Sequence, residues 1–404
     1  MKWADREQAA RATLVAEYWD GRQALFRAGS STAARTRWSL GAGPWHPWWQ
    51  AQGLQVLLDG VAAGEGAAEP CAALVVRLVA GIERRQGGLL ANEYHDDLAW
   101  LGLALLRAHR LGMLGPEPAV ALARRLADAV EPSGAVRWRV GDELRNVAAT
   151  APAALLILGA AAVAGEPAWG GLVARMAGWL HATLVEPTGA VWDGARLRGG
   201  RLMPEGRLWS YNVGSMVALD LALAERAPVD ERTGLLQRAA RVLGAGSSAL
   251  AAGCAEVPAA AALLRSGGPG TGVAAGQSAG GSGAWPPAGG AGVWRDEVSD
   301  GSGADPQLFR GILAGAVADL VLAGSGPGGP AGRLPPDLGR ALAGQLARQA
   351  ATAWATRDAR GRIGPGWVTP VRERPTLAAH LTGCLVLGSL ARLEREGLLA
   401  PTGR

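Results

Sequence analysis

The chain carries a helical pattern of apolar residues along most of its length. Apolar side chains recur at i, i+3, i+4 and i+7 in segments such as those after Asp97, from Leu235 and from Leu377, which is the spacing of one buried helix face. Long runs of alternating Val, Ile and Thr, the pattern of half-buried strands, are missing. The pattern predicts helices near residues 3–28, 45–63, 70–86, 96–112, 117–130, 149–164, 167–185, 211–226, 230–248, 306–323, 336–357 and 375–396.

These helices predict an all-α protein that either stacks as an open solenoid or closes as six hairpins into a toroid. Two connections repeat almost identically, EPSGAVRW at 131–138 and EPTGAVWD at 186–193. If such alternate loops emerge at one end of a toroid, they form a shared rim. We interpret residues 1–404 as a single domain and the Gly-, Ala- and Pro-rich segment 266–292 as a flexible insertion.

The composition of the chain limits which classes of function are expected. The chain is 49% hydrophobic and 19% charged, which is enough apolar material for a core and excludes disorder for most of it. The formal net charge is +5, but Lys2 is the only lysine and the arginines alternate with acidic residues, so no nucleic-acid surface is predicted. The three cysteines are far apart and lack CxxC or Cys/His spacing, so neither a disulfide framework nor a zinc site is predicted.

A membrane span is not predicted either. The charge-free stretch 147–165 is about long enough for one, but Ala and Gly dominate it, and Pro152 and Gly159 interrupt it. We interpret it as a helix buried on all sides. Near the N-terminus, Asp5 and Glu7 stand where a secretory signal would need an apolar run. We therefore expect a cytoplasmic protein.

The most informative segment is the carboxylate pair Asp96–Asp97 at the start of a predicted helix. An acidic residue in this place often caps the helix, because it accepts hydrogen bonds from free backbone N–H groups and suits the helix dipole. Here, however, Asn92, Tyr94 and His95 place further hydrogen-bonding groups on the same turn. The two side chains diverge, so their carboxyl groups could lie about 5 to 5.5 Å apart, the separation in retaining glycosidases. Repulsion would then raise one pKa and leave an acid beside a nucleophile.

In this segment and in several others, the sequence resembles glycoside hydrolase family 76. The known members of that family are endo-acting α-1,6-mannanases with an (α/α)6 toroid and a paired-Asp active site. The similar segments occur in the expected order across about residues 45–390. Besides the doublet they are WHPWWQAQ at 45–52, RN with TAPA at 145–153, SYNVG at 210–214 and DPQLFRGI at 305–312.

The resemblance implies a retaining double displacement on an α-linked oligo- or polysaccharide such as α-1,6-mannan, without a cofactor or metal. Asp96 becomes the nucleophile and Asp97 the general acid/base. The residues expected to contact substrate are Trp48, Trp49, Gln52, Asn92, Tyr94, His95, Trp138, Asn146, Tyr211, Asn212 and Trp367.

Two alternatives stay open. His95, Val213 and Gly366 depart from the residues usual in the family, which would fit a carbohydrate-binding homologue that has lost turnover. His95 and Asp96 together are also typical of metal-dependent phosphohydrolases of the HD type, in which they ligate Mn or Fe. The other histidines support that site poorly, since three of them fall late on or within predicted helices, where a packed histidine is the usual case.

Overall fold

The structure is a computed structural model that describes residues 1–29, 45–64, 68–205, 207–252, 294, 304–325, 336–367, 370–372 and 374–399. Twelve α-helices lie in these residues. They are α1 (Trp3–Tyr18), α2 (Pro47–Ala63), α3 (Ala68–Gln86), α4 (His95–Arg110), α5 (Glu117–Asp128), α6 (Val147–Ala164), α7 (Trp169–Leu184), α8 (Ser210–Arg226), α9 (Val229–Ala252), α10 (Pro306–Ser325), α11 (Pro336–Ala355) and α12 (Leu377–Arg395).

The six even-numbered helices form a closed inner ring, in which each contacts the next and α12 contacts α2. The odd-numbered helices pack outside: α1 on α12, α3 on α2, α5 on α4 and α6, α7 on α6, α9 on α8, and α11 on α10 and α12. Each pair buries the apolar face that its sequence pattern predicts. Because the ring closes, the open solenoid is excluded, and the predicted (α/α)6 toroid is confirmed.

The position of α6 and α10 in the inner ring explains why these two helices are so apolar. Within the described residues, α6 and α10 are long and apolar enough to cross a membrane by length and composition alone. Their most apolar windows are 67% and 61% buried. Since inner helices are covered both by their ring neighbours and by the outer layer, apolar residues around much of the circumference are expected. The packing of the ring accounts for this composition.

Short strands, which the apolar pattern did not predict, lie in the connections. They are β1 (Trp19–Asp20), β2 (Leu25–Phe26), β3 (Leu144–Asn146), β4 (Gly194–Arg198) and β5 (Arg201–Glu205). Strands β1 and β2 pair as a small antiparallel hairpin, and β3, β4 and β5 form an antiparallel sheet in that order. The sheet joins the loop before α6 to the loop before α8, so it ties two parts of one rim together.

The first helix was predicted too long. It ends at Tyr18 instead of continuing to residue 28. Beyond it, Asp20 Oδ1 accepts hydrogen bonds from the backbone N–H groups of Arg22 and Gln23 at 2.9 and 3.2 Å. A carboxylate that binds nearby N–H groups favours a turn over a helix. The apolar residues that follow therefore return as strand β2, with Phe26 fully buried.

The repeated EPxGAV loops form the same turn. In the first, the Glu131 N–H donates to the Ala135 carbonyl at 2.8 Å, and the matching bond in the second loop has the same length. Gly134 and Gly189 have φ values of +98° and +94°, in the left-handed region that favours glycine. Each loop joins an outer helix to the next inner helix, as does the loop after α3. All three therefore emerge at the end of the toroid where the inner helices begin.

The predicted insertion at 266–292 lies outside the described residues. It stays a prediction, and so does the assignment of residues 1–404 to one domain.

Candidate active site

Two adjoining cavities lie where the inner helices begin. One, of about 590 Å³, is called the Trp45 arm here, and its lining includes Trp45, His46, Arg85, Asn92, Tyr94 and Asp97. The other, of about 390 Å³, is called the Trp209 arm, and its lining includes Trp100, Asn146, Asp193, Trp209, Tyr211 and Phe309. Both cavities are lined by Trp48, Asp96, Trp138 and Asp305. The two arms thus meet at these four residues and form one groove with aromatic walls, a surface suited to stacking on sugar rings.

Asp96 lies at this junction, in the first turn of α4. Its Oδ2 accepts a hydrogen bond from Trp138 Nε1 at 2.9 Å, and its Oδ1 accepts one from the Asp97 backbone N–H at 2.9 Å. Burial raises the pKa of Asp96 from its usual value of 3.8 to about 6, although the Trp138 bond opposes the rise. Asp96 is therefore ionised at neutral pH.

Asp97 is the more deeply held of the two carboxyls. Its Oδ1 accepts the Trp48 backbone N–H at 3.1 Å, and its Oδ2 accepts Asn92 Nδ2 at 3.0 Å. Burial and the neighbouring Asp96 charge raise the pKa of Asp97 well above its usual range. When the pair carries a single negative charge, that charge therefore lies on Asp96, and Asp97 keeps its proton. An ionised carboxylate beside a protonated carboxyl is the arrangement that acid-assisted nucleophilic catalysis needs.

Helix capping does not account for this pair. The N-cap residue of α4 is Tyr94, which makes no side-chain capping bond. Asp97 takes its hydrogen bonds from α2 and from the loop before α4, so it satisfies no N–H group of its own helix. Only one oxygen, Asp96 Oδ1, binds a backbone N–H of the first turn. The sequence-based capping interpretation thus covers a minor part of the bonding.

Six of the eleven residues predicted to contact substrate do line the groove: Trp48, Asn92, Tyr94, Trp138, Asn146 and Tyr211. Asn146 also caps α6, because its Oδ1 accepts the Ala149 N–H at 3.1 Å. The Tyr211 hydroxyl donates to Asp193 Oδ1 at 2.7 Å. Direct contact of these six with a sugar stays a prediction.

The other five predicted residues do not line either arm. Trp49 is 2% exposed, because it points into the toroid one position beyond Trp48, and its Nε1 donates to Asp305 Oδ1 at 2.7 Å. Asn212 is fully buried and donates through Nδ2 to Asp193 Oδ1 at 3.0 Å. Both side chains hold a groove carboxylate from behind and do not line the groove themselves.

The remaining three are buried in other surroundings. His95 is 7% exposed, and its Nδ1 lies 2.7 Å from the Arg137 carbonyl oxygen. Gln52 lines a separate cavity inside the ring. Trp367 is 1% exposed beneath the Arg310 guanidinium, whose central carbon lies 4.0 Å from the ring centroid. None of these three side chains lines either arm of the groove.

Two acidic residues of the groove were not proposed from the sequence as site residues. Asp193 lines the Trp209 arm, where burial raises its pKa while Asn212 and Tyr211 donate to its carboxylate. Asp305 lines both arms and accepts hydrogen bonds from the indoles of Trp48 and Trp49 at 3.0 and 2.7 Å. The sequence did contain a feature that the two residues share, because each stands in a connection that leads into an inner helix.

A metal centre finds no support in the part of the chain that the structure describes. No three His, Cys, Asp or Glu side chains there are grouped so that they could hold a metal ion. His95, the residue that suggested the phosphohydrolase alternative, has its Nδ1 against a backbone carbonyl.

Comparisons with known proteins support the fold. No family model and no curated protein matches the sequence. Among solved structures, the α-1,6-mannanase of glycoside hydrolase family 76 from Salegentibacter sp. is similar over 97% of this chain and 100% of its own, with a TM-score of 0.75 and 21% identity. The chain has the fold of the family 76 enzymes.

Two further structures extend the likeness. An inactive variant of the Salegentibacter mannanase, with two consecutive aspartates replaced by asparagine, was solved with α-1,6-mannotriose; its TM-score is 0.74 at 20% identity, over 97% of this chain and 100% of that one. A family 76 mannosidase from Bacteroides thetaiotaomicron matches with a TM-score of 0.71 and 14% identity, over 98% of this chain and 99% of its own.

Proposed function

We propose that the protein is a retaining glycosidase of the family 76 type that cleaves α-linked mannosides such as α-1,6-mannan. The observation that carries the proposal is the carboxyl pair at the junction of the two arms, with Asp96 poised to ionise and Asp97 poised to hold a proton. The similar mannanase is inactive when two consecutive aspartates are replaced, and it binds α-1,6-mannotriose in that form. Asp96 and Asp97 are the consecutive aspartates of this site.

In the first step, the Asp96 carboxylate attacks the anomeric carbon and forms a glycosyl ester. The bond from that carbon to the leaving oxygen breaks, and Asp97 gives its proton to this oxygen. In the second step, Asp97, now ionised, takes a proton from water, and the hydroxide attacks the anomeric carbon and releases Asp96. Two inversions give net retention.

We infer the direction of the substrate in the groove from the placement of the two carboxyls. Asp96 lines both arms, whereas Asp97 lines the Trp45 arm and not the Trp209 arm. Because the acid must face the leaving oxygen, the departing reducing-end portion lies in the Trp45 arm. The sugar that becomes esterified lies in the Trp209 arm, where Asp193 and Tyr211 can bind its hydroxyls. Room on both sides of the junction suits cleavage within a chain.

The test is hydrolysis of α-1,6-linked mannooligosaccharides, with the anomer of the first product followed by proton NMR. We expect the α anomer first. Asp96→Asn should abolish turnover because no ester can form. Asp97→Asn should still react slowly with an aryl mannoside whose leaving group needs no proton, and azide should accelerate release of the ester. Asp128→Asn, at an exposed position on α5, is the matched control and should keep full activity.

Each outcome separates the candidates. Full activity of either active-site variant, or the β anomer as first product, would refute the mechanism. Binding of mannotriose without any product from the unaltered protein would favour the binding homologue. If the unaltered protein neither binds mannotriose nor releases any product, mannosides are rejected as its ligands.

A further inference from the structure

Asp305 is a third carboxylate at the junction, and it comes from the opposite side of the ring. It directly precedes Pro306, the first residue of α10, while Asp96 and Asp97 belong to α4. Its side chain is 40% exposed. With Trp48, Asp96 and Trp138 it is one of the four residues that line both arms. It therefore faces the place where a scissile bond would lie.

The orientation of this carboxylate is fixed through a single oxygen. Trp48 Nε1 and Trp49 Nε1 both donate to Asp305 Oδ1, and His46 Nδ1 lies 3.9 Å from the same atom. Within the part of the chain that the structure describes, no hydrogen bond ends on Oδ2. Two indoles on adjacent positions of α2 thus hold one oxygen of a carboxylate that lines the groove. A fixed carboxylate oxygen that keeps its lone pairs is a strong acceptor for a sugar hydroxyl.

We propose that Asp305 is a substrate-binding carboxylate that accepts a hydroxyl of the sugar at the junction through Oδ2 and whose negative charge helps to keep the proton on Asp97. This rests on the proposed glycosidase function and adds a third acidic residue to it. The same charge acts on Asp96 and Asp97 together, because Asp305 raises the pKa of both as a lesser cause beside burial.

Other charges around the pair are few, so the effect of Asp305 can be isolated. The remaining ionisable side chains that line the two arms are His46, Arg85, Glu93, Tyr94, Asp193 and Tyr211. Burial lowers the pKa of His46, which keeps the imidazole neutral at neutral pH despite the Asp305 charge. A change at Asp305 is thus not cancelled by the loss of a cation.

The test compares Asp305→Asn with Asp319→Asn. The control removes the same charge from α10, the helix that Asp305 directly precedes, where Asp319 pairs with Arg392 at 2.8 Å away from the groove. For Asp305→Asn we expect kcat/KM on an α-mannoside to fall about 10- to 100-fold, the loss of one hydrogen bond to a charged group. Both limbs of the pH profile should move to lower pH, since removing a negative charge lowers the pKa of the nucleophile and of the acid. The control should move neither limb.

Monodeoxy mannosides identify the bound hydroxyl. For the mannoside that lacks the bound hydroxyl, kcat/KM of the unaltered enzyme should fall by the same factor as kcat/KM of Asp305→Asn falls on the full substrate. The variant itself should hydrolyse this deoxy mannoside and the full substrate with the same kcat/KM. Equal loss by the variant on every deoxy substrate would overturn the inference. A fall in kcat/KM with both pH limbs in place would overturn it too, because a structural defect gives that result.

A measurement without turnover separates this inference from the proposed function. Carboxyl NMR of protein labelled with 13C-aspartate follows the titration of the buried pair directly. In Asp305→Asn the two buried carboxyls should titrate at lower pH than in the unaltered protein, even if no mannoside is hydrolysed. Titration at an unchanged pH would overturn the role of Asp305, whereas inactivity of the unaltered protein on all mannosides would refute the proposed function alone.

Discussion

The hydrogen bond from Trp138 to Asp96 gives a quantitative prediction. Trp138→Phe removes the N–H that donates to Asp96 Oδ2 at 2.9 Å, but it keeps an aromatic ring beside Tyr94, whose centroid lies 5.1 Å away. A hydrogen bond to a charged group contributes about 1.5–3 kcal/mol, and one pKa unit corresponds to about 1.4 kcal/mol. Losing the bond should therefore raise the pKa of Asp96 by about 1 to 2 units, from about 6 to about 7 or 8.

The assay is the pH dependence of kcat/KM on an aryl α-mannoside. Asp96 must be ionised to attack, so activity falls on the acid side as pH drops through its pKa. In Trp138→Phe this acid limb should move to higher pH by about 1 to 2 units, and kcat/KM near pH 5 should fall about 10- to 100-fold more than at the alkaline end of the profile. The shift has the opposite sign to that expected for Asp305→Asn.

Trp179→Phe is the matched control. Trp179 lies on the outer helix α7, is 7% exposed, and its Nε1 has no hydrogen-bond partner in the described part of the chain. It makes the same chemical change away from the groove and should leave the acid limb in place. An acid limb that stays or moves to lower pH in Trp138→Phe would refute the assignment of Asp96 as the group that must ionise.

Two other predictions concern the rim and the chemistry. Gly134→Ala should lower the free energy of unfolding by about 1–3 kcal/mol, because φ is +98° and the new Cβ would lie 2.5 Å from the Arg175 carbonyl oxygen. Gly141→Ala, with φ of +79° and no atom within 4 Å of the new Cβ, should cost less, and thermal denaturation compares the two. Incubation with EDTA should leave glycosidase activity unchanged, whereas loss of activity that Mn²⁺ restores would favour the phosphohydrolase alternative.

The apolar pattern predicted most of the fold because helix faces in a two-layer toroid follow directly from helical spacing. For α12 the prediction of 375–396 compares with Leu377–Arg395. The pattern did not predict the strands, because their formation depends on local side-chain bonds and distant pairing. Asp20 ends the first helix through its own turn, and Leu144 pairs with Arg196 across a whole hairpin of helices.

The site was predictable as a set of segments and less so residue by residue. Trp48 and Trp49 look equivalent in sequence, but successive helical positions differ by about 100° in direction. Only the rotation of α2 in the ring decides that Trp48 lines the groove and Trp49 supports Asp305. The same holds for Tyr211 and Asn212 at the start of α8. Asp305 was not proposed as a site residue because only its position opposite Asp96 in the closed ring indicates a role in the site.

The carboxyl pair shows why its position at a helix start does not fix its chemistry. A helix N-terminus stabilises negative charge by about 0.3–1 kcal/mol, which would lower the pKa of an acidic residue there. The pKa of Asp96 nevertheless rises from 3.8 to about 6, which corresponds to about 3 kcal/mol against the ionised form. Burial, the largest cause of the rise, therefore outweighs the dipole. The position of the pair in the closed ring, beneath the loops and aromatic residues of this rim, therefore lets one carboxyl keep a proton while its neighbour loses one.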